Sequence, residues 1–138
     1  MNTLGTKFAW FWMAAFILSG ILGFIPNPIV GQDSFFVTNA AHNMVHVITA
    51  LAFAVVGTLG NKASTKFMLV FGVVYILVGL IGFFVTMGSG EGMLLGFIHI
   101  NTLDNLLHLA LGAGILISGI MAIKATTLIP ENRVGKAA

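Results

Sequence analysis

The chain contains no cysteine. That excludes disulfides, thiolate metal sites, iron–sulfur clusters and covalent c-type haem attachment. Charge is nearly as scarce. Six Lys or Arg and four Asp or Glu make up 7% of 138 residues, against roughly 25% in ordinary soluble domains. So few carboxylates exclude a di-iron centre built from four of them. Six basic residues without a basic run cannot form a phosphate-tracking surface, so the pI of about 9.3 does not point to nucleic acid. No Ser/His/Asp order reads as a triad, and there is no phosphate loop or His-Glu-x-x-His. The seven methionines are scattered and form no Met-x-x-Met array, which leaves no copper conduit.

What the chain does have is apolar length. Hydrophobic residues are 58% of the total and the mean hydropathy is +1.04. A soluble fold of this size could not cover its surface, so an integral membrane protein is expected. Four apolar stretches stand out, at about 8–25, 39–59, 67–87 and 101–123. Pro26-Asn27-Pro28, Gly60-Asn61 and Gly88-Ser89-Gly90 punctuate them. Each is long enough for a hydrocarbon core of roughly 30 Å. In lipid the backbone must satisfy its own hydrogen bonds, which requires helices. The expected fold is all-α, a four-transmembrane-helix bundle forming one domain over 1–138, with a short polar cytoplasmic tail at 124–138. The apolar start has no small-x-small cleavage site before Pro26, so it is expected to remain as a span.

All basic residues fall on one side of these spans: Lys7, then Lys62 and Lys66, then Lys124, Arg133 and Lys136. Asp33 and Glu91 fall on the other. The positive-inside rule places both termini in the cytoplasm and the loops at about 26–38 and 88–100 outside. Phe8, Trp10 and Trp12 are expected to form an inner aromatic anchor. The outer loops carry Phe35-Phe36-Val37 and Met93-Leu94-Leu95, and are expected to pack over the helix ends.

The sequence repeats itself. Gly20-Ile21-Leu22-Gly23-Phe24 matches Gly79-Leu80-Ile81-Gly82-Phe83. Asn39-x-x-His42-Asn43-x-x-His46 matches Asn101-x-x-Asp104-Asn105-x-x-His108. Two tandem hairpins of parallel topology, about 8–59 and 67–123, should then be related by a pseudo-two-fold axis along the membrane normal. Small-residue stripes at Ala15/Ser19/Gly23 and Ala110/Gly114/Ser118 read as helix-packing surfaces.

The doubled motif carries the candidate chemistry. His42 and His46 share one helix face, as do Asp104 and His108. His46 and His108 lie deepest, about 10 Å inside their helix starts at 1.5 Å per residue. Asn39 and Asn101 read as N-caps, and Asn43 and Asn105 as residues that orient ligands. Ionisable groups in a membrane face a cavity or a partner. Three readings are open. His42, His46, Asp104 and His108 could coordinate Zn, Cu, Ni or Fe. His46 and His108 could ligate a tetrapyrrole, haem b or a chlorophyll-type pigment, with Ala50 and Gly112 leaving room for a flat ring. The cluster could instead be a purely structural polar knot between helices. A His beside Asp104 could also form a proton-relay pair. His99, in the outer loop, reads as interfacial.

The segment Leu95-Gly96-Phe97-Ile98-His99-Ile100-Asn101-x-x-Asp104-Asn105-x-x-His108-Leu109-x-x-Gly112 resembles the signature of small bacterial four-helix membrane proteins grouped as domain of unknown function 4383. Asn39-x-x-His42-Asn43-x-x-His46 is similar to that family's paired motif, with Val47 in place of Leu and Ala50 in place of Gly. The resemblance spans nearly the whole chain. It implies a multi-pass protein of the bacterial cytoplasmic membrane and no assigned activity. The functional expectation is a small non-enzymatic membrane protein in contact with lipid. It would act as a subunit or accessory of a larger membrane complex, or as a homo-oligomer.

Overall fold

A computed structural model describes residues 3–127. Four helices dominate: α1 (Leu4–Leu22), α2 (Ala40–Leu59), α3 (Asn61–Thr86) and α4 (Thr102–Thr127). All four are long and apolar enough to cross a membrane. α1 packs mainly along α2 and α3 along α4, which gives the two tandem hairpins. The outward faces are lined by large apolar side chains such as Phe11, Leu51, Val70 and Phe84, all more than half exposed. In water this would be an aggregation surface, whereas in lipid it matches the solvent.

The helix ends differ from the hydropathy reading for local reasons. α1 stops at Leu22, and the chain turns through residues 23–25 before Pro26. Asn27 then organises the loop. Its amide donates to the carbonyls of Leu22, Ile25 and Val30, and its oxygen accepts from the N–H groups of Ile29 and Val30. Only Gly60, at φ 95°, separates α2 from α3. Lys62 and Lys66 therefore lie on the first turns of α3, not in a connecting loop. α4 runs to Thr127 with Lys124 in its last turn. Residues 128–138, including Arg133 and Lys136, lie outside the described residues.

The α1–α2 and α3–α4 loops each contain a pair of short strands. β1 (Val30–Gly31) pairs in parallel with β2 (Phe36–Val37), and β3 (Glu91–Leu94) pairs antiparallel with β4 (Ile98–Asn101). The tight turn of the second pair places Leu95 (φ 54°) and Gly96 (φ 83°) in the left-handed region. Val37, Leu94, Ile98 and Ile100 are buried, so these loops do cap the bundle.

Glycine sets the helix contacts. Gly72 and Gly112 face each other where α3 crosses α4. A Cβ on Gly72 would meet the Leu116 nitrogen at 2.7 Å, and one on Gly112 would meet the Ile76 nitrogen at 2.7 Å. Beneath the motif residues lies an aromatic layer, with Phe16 stacked on Phe53 and edge-on to Tyr75. Trp12 joins the core and is not an interfacial anchor. It is buried against Gly114, and its indole N–H donates to Ser118 Oγ at 3.1 Å. Gly114 and Ser118 thus seat a side chain, while Gly112 and Gly119 carry the approach to α3.

Candidate metal centre

The site is assembled from the two motif helices. Asn39 caps α2, its Oδ1 accepting from the His42 N–H at 3.0 Å. Asn101 does the same for α4, accepting from the Asp104 N–H at 2.8 Å. Both caps also reach across the bundle. Asn39 Nδ2 donates to the Phe97 carbonyl at 2.8 Å, and Asn101 Nδ2 donates to the Phe35 carbonyl at 2.9 Å. Phe35 and Phe97 each stand four residues before their own half's asparagine, so the crossed bonds obey the expected pseudo-two-fold relation.

The structure brings His42, His46 and His108 together. Each offers one ring nitrogen, and the three nitrogens lie within 4.8 Å of one another. Ring centroids are 4.9 Å apart for His42–His46, 5.7 Å for His42–His108 and 6.4 Å for His46–His108. All three residues are buried. Asp104 is not a member of this group. Its Oδ2 instead accepts the Asn101 N–H at 2.8 Å. Asn101 and Asp104 thus form a reciprocal capping box, with Asp where Glu or Gln is usual.

Hydrogen bonds fix two of the imidazoles. His42 Nδ1 lies 2.8 Å from the His99 carbonyl oxygen. A carbonyl only accepts, so Nδ1 carries the proton and Nε2 keeps its lone pair. His46 Nδ1 lies 3.0 Å from Ser19 Oγ, and the Ser19 hydroxyl donates to the Phe16 carbonyl at 3.0 Å. His46 Nδ1 is therefore the donor as well, and its Nε2 is also bare. His108 differs: its Nδ1 is buried without a partner. The repeat explains why. Val78 stands where the first half has Ser19, and an isopropyl group cannot accept.

Asn43 and Asn105 sit at helix crossings. A Cβ on Gly23 would collide with the Asn43 amide, and one on Gly82 with the Asn105 amide. Asn105 Nδ2 donates to Thr86 Oγ1 at 3.0 Å. Neither asparagine hydrogen-bonds an imidazole among the described contacts. His99 lies in β4 with its Nε2 3.6 Å from Glu91 Oε2. Its carbonyl, not its ring, serves the site.

Two lateral clefts flank the imidazoles, and they are copies of each other. One, about 390 Å³, lies between α2 and α3 and is lined by Val45, Thr49, Phe71, Val74, Tyr75 and Val78 with all three histidines. The other, about 180 Å³, lies between α1 and α4 and is lined by Leu107, Leu111, Trp12, Ala15, Phe16 and Ser19 with His46. These two sets match position by position in the repeat. Trp12, larger than the matched Phe71, helps fill the smaller cleft. Tyr75, 4.8 Å from the His108 ring, belongs to the larger one. Sequence reasoning missed Tyr75, Ser19 and the His99 carbonyl as parts of the site.

The family model described as "Domain of unknown function (DUF4383)" matches residues 6–121. No curated protein and no solved structure matches the chain. The chain belongs to the DUF4383 family.

Proposed function

We propose that this member of the family is a small, non-enzymatic membrane protein whose three-histidine cluster binds one transition-metal ion. The observation that carries the reading is the state of the imidazoles. Two of them are held by Nδ1–H donors with Nε2 free, the arrangement metal-ligating histidines use. The third has a buried nitrogen with nothing to bond. Bonds of about 2.0–2.1 Å at tetrahedral angles put ligand nitrogens roughly 3.3 Å apart. The rings would close by about 1.5 Å from the 4.8 Å seen here. Imidazole donors suit zinc, copper, nickel or iron.

The tetrapyrrole reading is less well supported. A macrocycle between His46 and His108 needs an open slot, and the His42 ring stands within 5.7 Å of both. Metal analysis of protein purified from membranes without chelator tests the assignment, alongside a visible spectrum. One equivalent of metal, lost in His46→Ala and His108→Ala, is expected. A metal-free protein that also refuses added Zn²⁺ would overturn it, and a Soret band would favour haem. A subunit or accessory role, or a homo-oligomer, belongs to the same proposal and rests on the small surface outside the bilayer. Native-mass measurement in mild detergent tests it, with a species larger than the monomer expected.

A further inference from the structure

Three neutral imidazoles leave a divalent ion with its full charge in an apolar site. Asp104 is not among the grouped donors, and its Oδ2 is engaged in the cap of α4. Burying an ion among neutral ligands is costly, and an anion at the open fourth position would offset that cost. The larger cleft shows where it would enter. Its inner end is formed by His42, His46 and His108. Its walls are almost wholly apolar. Its mouth residues Val45 and Val74 are exposed on the spanning helices α2 and α3, and Leu95 and Phe97 are exposed on the turn of the β3–β4 hairpin, so an apolar molecule in the bilayer can reach it between the helices. Leu94, Ile98 and Ile100 roof it on the outer side. At about 390 Å³ it falls within the size range of small-molecule pockets, roughly 300–1,000 Å³.

We propose that the cleft between α2 and α3 admits an alkyl carboxylate from the membrane, with its carboxylate on the histidine-bound metal and its chain in the apolar cleft. This inference rests on the metal reading. Apolar walls select the chain, and the unbalanced ion selects the anionic head. The duplicate cleft between α1 and α4, about 180 Å³, is the smaller and poorer site.

The test uses the full chain in phospholipid nanodiscs loaded with Co²⁺, whose visible absorption reports its ligands. Decanoate is the probe, with acetate and 1-decanol as controls. Decanoate is expected to shift the Co²⁺ bands saturably at a concentration on the order of a hundredfold below acetate, since each buried methylene adds to its affinity. 1-Decanol is expected to leave the bands unchanged. Val74→Trp, which narrows the mouth from the lipid side, is expected to keep Co²⁺ binding and lose the decanoate shift. Equal potency of decanoate and acetate, an equal effect of 1-decanol, or a decanoate shift undiminished in Val74→Trp would each overturn the carboxylate proposal and leave the metal reading standing. Failure to bind Co²⁺ at all would overturn both.

Discussion

Ser19 Oγ stands 3.0 Å from His46 Nδ1, a contact between α1 and α2 that the second hairpin does not reproduce. Removing it leaves the His46 ring free to rotate and its tautomer unfixed. Ser19→Ala is expected to weaken Zn²⁺ binding by about 10–100-fold, the usual effect of losing a residue that orients a ligand. Val78→Ser gives the unpartnered His108 Nδ1 a hydroxyl to bond in place of a metal and is expected to weaken binding as well. Competition with a coloured chelator in detergent measures both, and unchanged affinity in Val78→Ser would mean that His108 Nδ1 is not a ligand atom.

Asp104 separates the cap from the metal site. Asp104→Ala removes the acceptor for the Asn101 N–H. A loss of about 1 kcal/mol of stability is expected, in line with other capping residues. Bound metal should remain at one equivalent. Thermal unfolding and elemental analysis of the same sample read both. Loss of metal in the folded variant would make Asp104 a ligand.

The Gly82–Asn105 crossing predicts a coupled pair. Gly82→Ala drives a methyl group into the Asn105 amide. Overpacking of this kind costs about 1–3 kcal/mol. Asn105→Ala clears the space, so the double variant is expected to be more stable than the sum of the two single losses. Gly23 with Asn43 should behave alike. A double-mutant cycle from unfolding in mixed micelles supplies the coupling.

The absence of cysteine makes topology directly testable. Asp33→Cys and Lys62→Cys each introduce a single thiol. In intact bacterial cells an impermeant maleimide is expected to label the first and not the second. The reverse pattern would invert the orientation drawn from the positive-inside rule.

Hydropathy made the four helices legible, because lipid tolerates little else over that length. It could not show which way a side chain faces around a helix. Trp12 therefore read as an anchor by depth, while its azimuth turns it into the core. The three histidines were legible from their four-residue spacing and from the repeat. Asp104 was grouped with them because it matches His42 in the repeat. The Asn101-x-x-Asp104 spacing also carries a capping signature, and at the first turn of a helix the backbone N–H groups compete for a carboxylate. Tyr75 and the His99 carbonyl left no trace, since one lies outside the repeated motif residues and the other is main chain. The strands were hidden in loops that read as merely greasy. Leu94, Ile98 and Ile100 pair and bury, while Gly88, Gly90 and Gly96 supply the positive φ that the turns need.

The two clefts are built from matched residues, yet one is about twice the volume of the other. A dimer of identical hairpins has no such freedom: whatever widens one opening widens its mate, and a serine beside one imidazole is a serine beside both. Joining the hairpins in one polypeptide releases that constraint. One side can tighten into scaffold, with Trp12 and Ser19, while the other keeps its vacancy and its unspent nitrogen.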